Sequence, residues 1–93
     1  MKKLLAGLLL TLSTTVNAAT CEEIEALASS IMTARQSGVP LKQVIAIADG
    51  QDYIKRVAMV AYGITNYSTD EYKTKAIEEF ADEVYLICLK STS

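Results

Sequence analysis

Cys21 and Cys88 are the two cysteines of a 93-residue chain. Thiols can close a disulfide, hold a metal or cycle as a redox pair. A tetrahedral zinc shell takes four ligands, chiefly Cys and His. The chain has no His and no further Cys, so these two thiolates cannot complete one. A catalytic dithiol is built on Cys-x-x-Cys spacing, whereas these cysteines stand near opposite ends of the sequence. A structural disulfide is the reading that remains, and with two cysteines its connectivity is forced. It would close a loop of about 68 residues, for which chain entropy gives on the order of 4 kcal/mol. That is comparable to the whole stability of a small core.

Carboxylates are the next groups that could do chemistry. Glu78, Glu79, Asp82 and Glu83 are the densest cluster. General acid–base work needs carboxyls in unlike environments, and a run of this kind reads instead as the solvated face of a helix. Without His the commonest general base and the usual activated-nucleophile triads are missing, and no Gly-rich phosphate loop occurs. The sequence assigns no catalytic, cofactor-binding or metal-ligating residue, and an enzyme is not expected.

Two features suit contact with another protein. Met32-x-x-Arg35-Gln36-x-Gly38 puts Arg35 and Gln36 at a helix end, where the Arg either satisfies the last carbonyls or meets a partner. The chain also carries five Tyr against one Phe. A tyrosine ring buries area while its hydroxyl stays satisfied, which serves both a core edge and an interface. Tyr67 and Tyr72 are expected to pack on each other and Tyr85 to cover the disulfide. Tyr53 and Tyr62 are left as interface candidates beside Arg35 and Gln36.

Helices must position these residues. Thr20-x-x-Glu23 is a capping box, with Ala19 and Ile24 as its apolar staple. Glu22 and Glu23 fall in the first turn, where the helix dipole favours negative charge. Ile24, Leu27, Ala28, Ile31 and Met32 follow at helical spacing. Gly38 supplies a left-handed terminator, and Val39-Pro40 prevents continuation. Pro40 suits the first position of a short second helix that buries Leu41, Val44, Ile45 and Ala48 and ends at Asp49-Gly50. A third helix spans 52–62, with Ile54, Val57, Ala58 and Ala61 inward. Ser68-x-x-Glu71 reads as the capping box of a last helix running to about Leu89. Its apolar side is Ala76, Ile77, Phe80, Ala81, Val84, Ile87 and Cys88. The fold class is all-α: a small four-helix domain with one disulfide joining the first and last helices. For that bond Cα atoms must come within about 7 Å, so those two helices must run antiparallel.

The first residues have a different character. Lys2 and Lys3 precede an apolar run from Leu4 to Leu12, then polar Ser13 to Thr15 and the small-residue site Val16-Asn17-Ala18. That is the layout of a signal peptide over 1–18, cut after Ala18 or next after Ala19. Residues 19–93 then form a single helical domain. An apolar run of about nine residues reaches roughly 14 Å as a helix, against roughly 30 Å of bilayer core, so no stable membrane anchor is expected in the mature form. Lipidation of Cys21 is disfavoured by Ala18 and Thr20 and by the unpaired Cys88 it would leave. Loss of Lys2 and Lys3 leaves about seven basic residues against eleven acidic ones, a net charge of about −4. Nucleic acid and anionic lipid both require Lys/Arg to displace counterions, so neither is expected as a partner.

The pattern Cys21…Met32-x-x-Arg35-Gln36-x-Gly38…Phe80-Ala81-x-x-x-Tyr85-x-x-Cys88 resembles small exported proteins of unknown function from bacteria and their phages and prophages. Cys21-Glu22 and Tyr85-Leu86-Ile87-Cys88 are similar, more distantly, to the two ends of the spackle-type periplasmic lysozyme inhibitors of phages. Those are also short helical domains with one disulfide behind a signal peptide. Periplasmic acid-stress chaperones are a third likeness, in size and in their single disulfide. The resemblances imply a secreted or periplasmic, non-enzymatic protein-binding module without cofactor. Its partner would be an unidentified protein, as for an inhibitor of a cell-envelope or phage-related target. The alternative is an acid-responsive periplasmic chaperone.

Overall fold

A computed structural model describes residues 20–92. The signal peptide expected over 1–18 and the Ala19 arm expected of the first staple lie outside the described residues. Four helices make up the described part: α1 (Cys21–Gln36), α2 (Leu41–Ala48), α3 (Asp52–Tyr62) and α4 (Asp70–Thr92). No helix among them is long and apolar enough to cross a membrane.

The local chemistry of each end explains these boundaries. Thr20 caps α1 through a reciprocal box: its hydroxyl accepts from the Glu23 N–H at 3.1 Å, and the Glu23 carboxylate accepts from the Thr20 N–H at 2.8 Å. At the other end Gly38 adopts φ 85°. The Gly38 N–H donates to the Arg35 carbonyl at 3.2 Å and the Val39 N–H to the Ala34 carbonyl at 2.9 Å. Those two bonds are a Schellman terminus, which needs the left-handed residue that glycine supplies without strain. Pro40 stands one position earlier than expected, as the extended cap before Leu41 rather than inside α2. Asp49, left-handed at φ 51°, and Gly50 at φ 81° reverse the chain into α3.

The start of α4 differs from the sequence reading. Thr69, not Ser68, caps it: the Thr69 hydroxyl accepts from the Tyr72 N–H at 3.3 Å. Asp70 and Glu71 then fill the first turn. Both Ser68 and Thr69 can cap; the segment before α4 is fixed by other contacts that place Thr69 at the helix mouth. Tyr67 and Tyr72 do pack together, with ring centroids 5.9 Å apart.

One core holds the helices. Ala28, Ile31 and Met32 of α1 meet Val44 of α2, Ala58 and Ala61 of α3 and Phe80 of α4, all buried. Alanines at the crossing points let backbones approach closely, and Met32 and Phe80 fill the space between. Cys21 and Cys88 are bonded with their Cα atoms 5.6 Å apart, so α1 and α4 run antiparallel as the spacing required. Beside that bond the Tyr85 hydroxyl donates to the Glu22 carboxylate at 3.1 Å, tying α4 to the first turn of α1. Two residues expected inside are not. Leu41 opens α2 at its exposed entrance, and Ile87 lies on the open side of α4. Successive helical residues are turned by about 100°, so with Cys88 directed at α1, Ile87 faces sideways.

Candidate functional site

The Met32–Gly38 motif occupies the end of the bundle opposite the disulfide, where residues 63–69 cross from α3 to α4. Gln36 is the hub. Its side chain is 3% exposed. Its Nε2 donates to the Thr65 carbonyl at 2.8 Å, and its Oε1 accepts the Tyr67 N–H at 2.9 Å. Lys73 Nζ donates to the Gln36 backbone carbonyl at 2.6 Å and to Asn66 Oδ1 at 2.8 Å. Arg35 Nε donates to the Ile64 carbonyl at 3.0 Å, so this Arg satisfies a carbonyl just beyond α3 rather than the last ones of its own helix. Its guanidinium also lies 5.3 Å from the centre of the Tyr62 ring, within cation–π range. The Tyr62 hydroxyl in turn donates to the Val39 carbonyl at 2.6 Å. Burial raises the Tyr62 pKa above its ordinary 10.0, with the Arg35 charge pulling the other way. A full set of intramolecular bonds therefore engages Arg35, Gln36 and Tyr62: they strap the connection between α3 and α4 to α1. Tyr53 alone of the four candidates is exposed, on α3 near the disulfide end.

The carboxylate run lies where the sequence put it. Glu78, Glu79 and Asp82, with Glu25 of α1, line an open trough of about 620 Å³ between α1 and α4, over a floor of Ala26, Ile77 and Ala81. Among the described residues no three His, Cys, Asp or Glu side chains are grouped to hold a metal ion.

A different surface gathers apolar side chains. Tyr62–Val39 and Arg35–Ile64 hold the C-terminal end of α3 at the C-terminal end of α1. Hence α3 runs parallel to α1 and antiparallel to α4. Both α3 and α4 pack on α1 and scarcely on each other. A groove of about 170 Å³ opens between them, lined by Arg56, Val57 and Val60 of α3 and by Phe80, Glu83, Val84 and Ile87 of α4. The two walls repeat one spacing. Tyr53, Arg56, Val57 and Val60 stand at i, i+3, i+4 and i+7 of α3, and Phe80, Glu83, Val84 and Ile87 do the same on α4, so each set shares a helix face. Phe80 belongs to the core and forms the floor. Val60 and Ile87, 60% and 57% exposed, form the lips, and their chain neighbours Met59 and Leu86 are exposed as well. Scattered exposed apolar residues are ordinary, but a contiguous set around a groove marks a contact surface.

Sequence reasoning missed Met59 and Val60 and treated Ile87 as core. Helix lengths carried no signal for the groove: α1 spans α4 from Lys73 to Cys88, so Ile87 is uncovered because of the side it faces and not because α1 is too short. No protein-family model, curated protein or solved structure matches this chain.

Proposed function

We propose that this chain is an exported, non-enzymatic protein-binding module that docks other proteins through the groove between α3 and α4. The observation that carries the reading is the exposure of Val60 and Ile87 as the lips of a groove over an apolar floor. A groove of about 170 Å³ is smaller than the roughly 300–1,000 Å³ of small-molecule sites, which favours a macromolecular contact. Export is supported by the charged and apolar leader of residues 1–18 and by a disulfide, which persists in oxidising compartments. Inhibition of a lytic enzyme of the cell envelope is the specific form suggested by the likeness to the spackle-type inhibitors.

The test compares the protein with its Val60→Asp variant. Val60 is well exposed, so the variant keeps its core. Both are immobilised in periplasmic extract, and both are added to a lysozyme assay. The expected result is a protein retained by the unaltered chain and lost by the variant, with lysozyme inhibition following the same order. Identical retention by both would refute the groove as the docking surface.

A further inference from the structure

We propose that a second copy of this chain occupies the groove, forming a two-fold symmetric dimer. The inference rests on the reading of this face as a protein-docking surface and names its occupant.

Charge complementarity carries it. The two lips are unlike: Arg56 stands on the α3 side and Glu83 on the α4 side of one apolar trough. Two-fold contacts require a surface that complements itself. A two-fold axis parallel to the groove sets α3 of one copy over α4 of the other at the same height. Arg56 then faces Glu83 of the second copy, and the pair is made twice. The apolar stripes close on each other in antiparallel register: Val57 meets Val84, Val60 comes level with Phe80, and Ile87 comes level with Tyr53. A partner of uniform charge would satisfy one lip and be repelled by the other. Neither Arg56 nor Glu83 is engaged in an ion pair within the described part of the chain, so both are free to pair outward.

The available area sets the strength of the contact. A large side chain presents on the order of 200 Å². Tyr53, Val60 and Ile87 on the two groove faces are 40%, 60% and 57% exposed. They offer about 300 Å² per copy, or about 600 Å² across two copies before the charged rim of Arg56 and Glu83 is added. That is the size of a weak, transient contact and falls well short of obligate dimers. A reversible dimer, populated at high protein concentration, is expected.

Sedimentation equilibrium of the purified, disulfide-bonded protein from low micromolar to near-millimolar concentration tests this. A monomer–dimer equilibrium is expected. Arg56→Glu and Glu83→Arg, each placing like charges in opposition, should weaken it by about ten-fold or more. The double exchange should recover affinity to within a few-fold of the original, which a merely structural effect would not do. Monomer at every concentration, or a double variant no tighter than the single ones, overturns the proposal. In the monomer case the Val60→Asp capture experiment separates the two readings. Loss of a captured protein assigns the groove to a different partner and keeps the docking reading, and unchanged capture ends both.

Discussion

Replacing Gln36 with Leu tests whether the strap at the open end of the bundle is held by one buried amide. Leu keeps most of the volume and the helix propensity, and removes three amide contacts: Nε2 to the Thr65 carbonyl at 2.8 Å, Nε2 to the Met32 sulfur at 3.5 Å and the Tyr67 N–H to Oε1 at 2.9 Å. Each of the two bonds to residues 65 and 67 contributes about 1 kcal/mol net, while the thioether is a weak acceptor that Leu can pack against. The Thr65 and Tyr67 groups left behind belong to residues that water can reach, so the further penalty stays at the low end of its range. The expected loss is about 2–3 kcal/mol. For a domain of this size 1 kcal/mol corresponds to roughly 4–8 °C, so the midpoint should fall by about 10–20 °C. Urea denaturation under non-reducing conditions gives the free energy, and amide exchange reports the site. The Tyr67 N–H should lose on the order of 30-fold in protection, while amides in the middle of α1 lose only what global stability loses. Arg35–Ile64 and Lys73–Asn66 remain in the variant, so the segment loosens without detaching. A loss below about 0.5 kcal/mol with Tyr67 protection unchanged would refute the reasoning, because residues 63–69 would then be held by the helices they join and not by Gln36.

The Cys21→Ser/Cys88→Ser variant should lose about 4 kcal/mol, the loop-closure entropy for a sequence separation of 67; chemical denaturation of the two forms measures it, and a loss under about 1 kcal/mol would contradict the entropic account. Met32→Ala, at the largest fully buried side chain, should cost about 2–5 kcal/mol by transfer and cavity terms, read as a fall in thermal midpoint. Alkaline pH should destabilise the protein through its bonded phenols. Tyr62 is raised by burial, and Tyr85 by its hydrogen bond to Glu22 and that carboxylate's charge. A folded pKa above the unfolded one leaves the folded state holding more protons, so this contribution is intact below about pH 10 and is lost as pH rises through the folded values. A Tyr62→Phe/Tyr85→Phe variant should show a flatter decline of thermal midpoint above pH 10, and parallel declines would contradict the assignment.

The parts of the fold that were legible in the sequence rest on local rules. Thr20-x-x-Glu23 and the Gly38 terminus are closed by bonds within a few residues, and Asp52–Tyr62 is bounded by Gly50 and Gly63. The antiparallel pairing of α1 with α4 was legible because one long-range constraint, the cysteine pair, was countable. Contacts that depend on where a loop lands were not legible. Arg35 had its own helix end within reach, yet it turns to Ile64, 29 positions on, because Gln36 brings that segment across. Thr69 rather than Ser68 caps α4 for the same reason. The candidate groove was hidden by a rule that is sound on average: Ile87 fits an apolar stripe with Phe80 and Val84, and a stripe is normally covered. Whether it is covered depends on how far α3 stands from α4, which helical periodicity does not encode.

That separation follows from how the helices are fastened. Both ends of α1 are tied to α4, by Cys21–Cys88 at one end and by Lys73 on the Gln36 carbonyl at the other. By contrast α3 is tied at its C-terminal end, through Tyr62 to Val39 and through Arg35 to Ile64. It packs on α1 and α2 and scarcely on α4. The fastenings therefore fix each wall of the groove against α1 without drawing the walls together. Anything that bridges Val57 and Val60 to Val84 and Ile87 gains apolar contact without having to unmake an existing one. A rigid, pre-opened cleft of this kind costs little conformational entropy to fill. Gln36→Leu leaves Tyr62–Val39 and Arg35–Ile64 in place, so it should lower stability while leaving dimerisation within a few-fold of the original. Residues 63–69 loosen, but the C-terminal end of α3 stays fastened to α1 and the groove keeps its fit. Lost stability with retained association in Gln36→Leu, against lost association with retained stability in Val60→Asp, would separate the frame of the bundle from the lips of the groove.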